Sequence, residues 1–240
     1  MPSDIRRALF TMLLLVAGLM LAPAASQAGD LDGLYAMDGR EAGGASYDGE
    51  LAIKSRGHAF DVDWRRGDRA RESGFGLTLN HVLGVAYWPD NQALDSGLGM
   101  VIYRIDGGTL DGLWLPQGLY NRAPGRETLH GSPDLTGRYQ VTLGRNPWGG
   151  RYTGYVELER TGDHVKVSWY LTSSEVFVGS GIKIGNVLAV AYGYRHAPAV
   201  AAYCSNGRQL QGSWWMGPGG GSGEETLEPV AGDGAEISNL

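Results

Sequence analysis

The chain repeats itself. Residues 179–192 read GSGIKIGNVLAVAY, and residues 74–87 read GFGLTLNHVLGVAY. The echo continues on both sides. LDGLY at 31–35 returns as LTGRY at 135–139, and YDGELAI at 47–53 returns as YTGYVEL at 152–158. FDVDW, ending at Trp64, returns as VKVSW, ending at Trp169. VIYRIDGGTLDGLW at 101–114 returns as AAYCSNGRQLQGSW at 201–214, and GRETL at 125–129 as GEETL at 223–227. A unit of about 95 residues is too long for a solenoid repeat and long enough for a domain. The register shifts only where loops are expected, as at PDNQALDSG against the shorter YRHAP.

Within each copy the patterning has period two. Val165, Val167 and Trp169 alternate with Lys166 and Ser168, as in a strand with one covered face. Gly185-Asn186 and Asp106-Gly107-Gly108 are tight-turn signals, and Asn80 tolerates a left-handed backbone. VLAVAY is apolar on both faces: Leu188, Val190 and Tyr192 on one, Val187, Ala189 and Ala191 on the other. Such runs number about eight per copy, and no stretch after residue 28 has helical periodicity. The expected fold is all-β, with two homologous small antiparallel meander domains of about eight strands each. Sequential hairpins favour an up-and-down barrel, which removes sheet edges, over a two-sheet sandwich. The expected divisions are 29–131 for the first domain and 132–228 for the second. HGSPD at 130–134 reads as a linker, and 229–240 as a disordered tail. Each copy holds a full strand set, so each is expected to fold by itself.

The first 28 residues have the layout of a secretory signal peptide: Arg6 and Arg7, the uncharged run ALFTMLLLVAGLMLA, then Ser26 and Ala28 where a signal peptidase reads. No cysteine follows the run, so lipid anchoring is not expected. The mature chain is expected to be exported, periplasmic or secreted, without an integral membrane segment. Cleavage removes two positive charges and one negative, and the formal net charge of −6 becomes −7. An acidic chain has no electrostatic footprint for nucleic acid. Cys204 is the single cysteine, which excludes an intrachain disulfide and a paired-thiol metal site.

Aromatic residues dominate what recurs. Tyr35, Trp64, Tyr87, Tyr103 and Trp114 are matched by Tyr139, Trp169, Tyr192, Tyr203 and Trp214. They either fill the barrels, since each ring buries about 150–250 Å², or line a ligand-binding mouth. Trp169, on a face with Val165 and Val167, reads as core, and Trp214, leading into GPGGGSG, as nearer a strand end. Glu127 and Glu225 recur, each before Thr-Leu, where indole N–H groups, arginines or backbone amides can satisfy them. General acid–base catalysis would need a second recurring titratable partner, and none recurs. The candidate ligand-binding residues are therefore Trp114, Trp214, Tyr87, Tyr192, Glu127 and Glu225. No catalytic residue, metal site or cofactor is assigned. The five histidines show no ligand spacing. GPGGGSGE lacks the Gly-Lys-Ser/Thr ending of a phosphate loop and reads as a flexible inter-strand loop.

In YTG, VSW, GSGI, LAVAY, LQGSW and ETL the chain resembles a bacterial secreted tandem β-repeat, some examples of which are labelled fibronectin-binding. The resemblance covers about residues 31–228 and implies no activity and no site residue. Gly84 in place of alanine and YCSNG in place of Tyr-x-Ile depart from its pattern. The plan is also similar to avidin and lipocalin barrels, by architectural analogy only. The functional expectation is an exported, non-enzymatic two-domain β-protein acting in binding or in cell-envelope or extracellular interaction, with an extracellular protein or a small apolar ligand as partner. The alternatives are a carrier of a small apolar or aromatic ligand, and an enzyme using Glu127 and Glu225. Edman sequencing of the exported protein should begin at Gly29. Recovery of Met1 on protein from the membrane fraction would show the apolar run to be retained.

Overall fold

A computed structural model describes residues 31–67, 71–88, 97–172 and 176–230; the expected leader and all but two residues of the expected tail lie outside these. The described residues form antiparallel strands and no helix. They run β1 (Gly33–Glu41), β2 (Ser46–Arg56), β3 (Ala59–Arg65), β4 (Glu72–Leu79), β5 (Val82–Tyr87), β6 (Gly99–Asp106), β7 (Thr109–Pro116) and β8 (Gly125–His130). The second copy supplies β9 (Gly137–Arg145), β10 (Gly154–Thr161), β11 (His164–Leu171), β12 (Val176–Ile184), β13 (Val187–Tyr194), β14 (Ala199–Asn206), β15 (Gln209–Trp215) and β16 (Ser222–Pro229). The turns sit where the dipeptides placed them, with Asn80 at φ 56°, Gly107 at 55° and Gly185 at 56°. Two closed eight-stranded barrels result, so the sandwich alternative is not adopted.

The barrels do not follow the copies. One, here barrel B, is an uninterrupted meander from β6 to β13, closed by β13 against β6. The other, barrel A, joins β1–β5 to β14–β16, closed by β5 against β14 and by β16 against β1. Barrel B is thus inserted between β5 and β14 of barrel A. Relative to the repeat, the two copies exchange their last three strands. The division at 131/132 is therefore corrected. HGSPD is no inter-domain linker but the hairpin between β8 and β9, deep within barrel B. The expectation that each copy closes its own barrel is corrected with it. The physical reason is that β6 and β14 are interchangeable to a neighbour. β14 places Tyr203 opposite Leu83 of β5, and β6 places Tyr103 opposite Leu188 of β13. The tail also starts later than expected, because Pro229 pairs with Tyr35 and Val230 N–H donates to Leu34 O at 2.9 Å.

Double-sided apolarity in VLAVAY now has a cause. Leu188 and Val190 enter the core of barrel B, while Val187, Ala189 and Ala191 join a core between the barrels. In β5, Leu83, Val85 and Tyr87 face into barrel A, and Val82 and Ala86 face barrel B. Small residues let the sheets approach. The two copies' equivalent positions Gly84 and Ala189 meet there, as they must where related surfaces pack on each other. A Cβ at Gly84 would lie 2.7 Å from the Ala189 Cβ, which explains the glycine that departs from the repeat pattern. Leu77 and Ile182, another equivalent pair, are buried in the same layer. At its edge His164 stacks on Trp215, with ring centroids 4.6 Å apart and an interplanar angle of 5°.

Strand exchange makes Cys204 of β14 the register partner of Val82 in β5. Opposed residues of an antiparallel pair have Cα atoms about 4.5–5.5 Å apart, within disulfide range. Val82→Cys should therefore form an intrachain disulfide with Cys204 on mild oxidation, read as a loss of both free thiols by mass spectrometry. Val187→Cys should leave both thiols free. The opposite pattern would show that each copy closes on itself.

Candidate functional site

Each barrel interior is organised by the recurring glutamate. Glu127 and Glu225 are inward residues of β8 and β16, exposed by only 4% and 3%. The rings around them need flat neighbours, and glycines supply these. A Cβ at Gly74 would lie 2.7 Å from the Trp64 ring, and one at Gly223 would lie 2.7 Å from Trp214 Nε1. Gly179 and Gly125 do the same for Trp169 and Trp114. The glycine that leads each repeated hairpin is therefore space for a tryptophan. Because of the exchange, each cluster is drawn from both copies.

In barrel A both carboxylate oxygens of Glu225 accept from tyrosines, while Arg66 Nε is left without a partner. Tyr47 donates to Glu225 Oε1 at 2.7 Å, Tyr203 to Oε2 at 2.5 Å, and Trp214 Nε1 to Tyr47 Oη at 2.5 Å. Trp64 Nε1 donates to Tyr203 Oη at 3.4 Å, and Tyr87 Oη lies 3.6 Å from Met216 Sδ. The mouth is sealed by Arg66 and Glu72, paired at 3.0 Å with side chains only 12% and 20% exposed. The Arg66 guanidinium lies 5.4 Å from the centroids of both the Tyr47 and Trp214 rings, in cation–π range. Among the described residues Trp64, Tyr87, Tyr203 and Trp214 are buried together around Glu225, as the space-filling reading of the aromatics anticipates.

Barrel B differs at equivalent positions. Leu171 stands where barrel A has Arg66, Phe177 where it has Glu72, and Pro116 where it has Met216. Among the described residues no ion pair covers the mouth, and a pocket of about 380 Å³ opens into the barrel. Its floor is Glu127, its walls include Trp114, Tyr152, Trp169 and Tyr192, and its lip carries Leu171, Phe177 and the exposed Trp148. Tyr192 is the hub, with ring centroids 6.3 Å from Trp114, 6.0 Å from Trp169 and 5.9 Å from Phe177, all edge-on. Glu127 accepts from Tyr152 at 3.2 Å and from Trp169 Nε1 at 3.3 Å, longer contacts than Glu225 receives from its tyrosines. Around this cavity Tyr103 Oη, Trp114 Nε1 and Tyr192 Oη lack a partner in full hydrogen-bond geometry, although Tyr103 still bears on Glu127 and Trp114 on Tyr152 as looser donors. Their counterparts Tyr203, Trp214 and Tyr87 all have one. Unpaired buried polar groups are costly and rare, so three around one cavity are a strong structural signal.

Burial raises Glu127 from an ordinary value of 4.5 to about 7, against the opposing pull of the Tyr152 and Trp169 hydrogen bonds. The same burial, together with the nearby carboxylate, pushes Tyr152 and Tyr192 well up, so both are neutral donors.

Of the six candidate residues, Trp114, Tyr192 and Glu127 meet in the open pocket, and Trp214, Tyr87 and Glu225 in the filled interior of barrel A. Trp169 is core, as its strand pattern implies, and is also a pocket wall. Trp214 ends its strand, and the GPGGGSG loop beyond it is tied by Met216 N–H to Gly221 O at 2.9 Å and Gly220 N–H to Gly217 O at 3.0 Å. Tyr152, Leu171, Phe177 and Trp148 are pocket residues that the repeat analysis did not single out. The available signal was difference: Arg66 against Leu171, and Glu72 against Phe177. No protein-family model, curated protein or solved structure matches this chain.

The Glu127 carboxyl links stability to pH. Its folded value lies above its unfolded value, so its contribution is whole below about pH 4.5 and is lost as pH rises through about 7. The shift corresponds to about 3 kcal/mol. Urea denaturation of wild type against Glu127→Gln should show stability diverging across this window, with wild type losing about that much more on going from pH 4.5 to 7.5. His164, lowered by burial, titrates in the opposite sense in both proteins and cancels in the comparison.

Proposed function

We propose that this protein is an exported carrier of a small apolar or aromatic molecule, bound in the mouth of barrel B. The observation that carries this reading is the contrast between two barrels of common pattern. One mouth is plugged by Arg66–Glu72 and Met216, and the other has lost the plug at the same three positions. A pocket of about 380 Å³ is within the range of small-molecule sites. Its walls are mostly rings and aliphatic side chains, with Glu127 at the floor and Asn146 and Thr172 beside the lip. The titratable neighbours of Glu127 among the described residues are tyrosines that burial keeps neutral, which supports binding over catalysis.

Transplanting the plug tests it. Leu171→Arg with Phe177→Glu should close barrel B as Arg66 and Glu72 close barrel A. The neutral fluorophore N-phenyl-1-naphthylamine should bind wild type with enhanced emission, and the double variant at least ten times more weakly, with near-UV dichroism unchanged. Equal binding by a folded double variant would remove the pocket from consideration as the ligand site.

A further inference from the structure

The filled barrel indicates what the open one takes. Five groups bear on the Arg66 guanidinium in barrel A: the carboxylates of Glu72 and Glu225, and the rings of Tyr47, Trp214 and Tyr87. Their counterparts in barrel B are Phe177, Glu127, Tyr152, Trp114 and Tyr192, and every one of them lines the pocket. Arg66 itself is replaced by Leu171. One of the two carboxylates and all three rings are thus retained, a fourth ring, Phe177, stands in place of the second carboxylate, and the chain's own cation is gone. A buried carboxylate without a counter-charge is costly, and the cost is relieved when a cation arrives. Faces of Trp and Tyr attract ammonium and guanidinium groups, most strongly where water is excluded.

We infer that the barrel B pocket binds an organic cation, an alkyl- or arylammonium or a guanidinium, whose charged head takes the place that Arg66 fills in barrel A. The head lies against Tyr152 and Trp114, with Glu127 as its counter-ion. The apolar remainder of the ligand faces Leu171 and Phe177 at the mouth. The inference rests on the carrier reading and narrows it to a ligand class.

Glu127 is faced by Tyr103 from β6, Trp114 from β7, Tyr152 from the segment before β10, Trp169 from β11 and Tyr192 from β13. Among the described residues no basic side chain bears on it. A bound cation favours its ionised form, so binding should release a proton and strengthen as pH rises.

The test displaces N-phenyl-1-naphthylamine with phenyltrimethylammonium and with tert-butylbenzene, its uncharged isostere. At pH 8 the cation should compete at least ten times better than the isostere. Its affinity should fall roughly ten-fold or more at pH 5.5, as a carboxyl titrating near 7 requires. Glu127→Gln should abolish both the preference and the pH dependence. Should that variant fail to fold, Leu171→Arg, which restores the internal guanidinium, should abolish phenyltrimethylammonium binding in a calorimetric titration. If tert-butylbenzene competes as well as the cation, the cation assignment falls and the apolar pocket stands. If neither they nor the fluorophore bind, the carrier reading falls with it.

Discussion

A strand that is apolar on both faces must be covered on both faces, and the rest of this molecule depends on that constraint. β5 and β13 present one side to a barrel interior and the other to the opposite barrel. Neither barrel can expose that outer side without showing water a continuous patch of alanine, valine and methionine. The Gly84–Ala189 contact sets how closely the sheets approach. At that proximity β6 and β14 lie beside either partner strand. Exchanging them changes connections but not the inward tyrosines that each barrel receives. The interface and the exchange are thus two consequences of one surface.

Much of this was legible in the sequence because local signals agreed. Period two located the strands, Asn80, Gly107 and Gly185 located turns, and VLAVAY announced a second covered face. What covered it was not legible. Alternation records that a face is buried, not against what. The exchange was hidden for a related reason: Tyr103 and Tyr203 sit in matching contexts, so the pattern of either strand satisfies β5 or β13. Pairing preference between identical alternatives lies in the connections β5–β6 and β13–β14, where no periodic signal operates.

The site was half legible, and the missing half is instructive. Searching a repeat for identities finds Glu127, Glu225 and the tryptophans, which both copies need to build a barrel. It passes over Leu171 and Phe177, which match nothing. Yet the shared residues make the two interiors alike, and the unmatched ones decide that one is plugged and the other open. In a duplicated fold, identity marks scaffold and divergence marks the places where one copy has been released from it.

The hydrogen bonds carry the same distinction. In barrel A the tyrosines contact Glu225 at 2.5 and 2.7 Å, and a guanidinium sits within 5.4 Å of two rings. In barrel B the matching tyrosine contact to Glu127 lengthens to 3.2 Å, the second oxygen accepts from the Trp169 indole at 3.3 Å, and three neighbouring ring donors lack a partner in full hydrogen-bond geometry. A core selected only for stability would shorten those bonds or replace the polar groups, since half-satisfied buried networks are worse than apolar packing. Retaining glutamate, tyrosine and indole donors around a cavity instead leaves polar groups there imperfectly paired. Removing Arg66 alone would have left a charged defect. With Phe177 in place of Glu72 as well, one carboxyl remains, which burial raises to about 7 and which can therefore hold its own proton near neutrality.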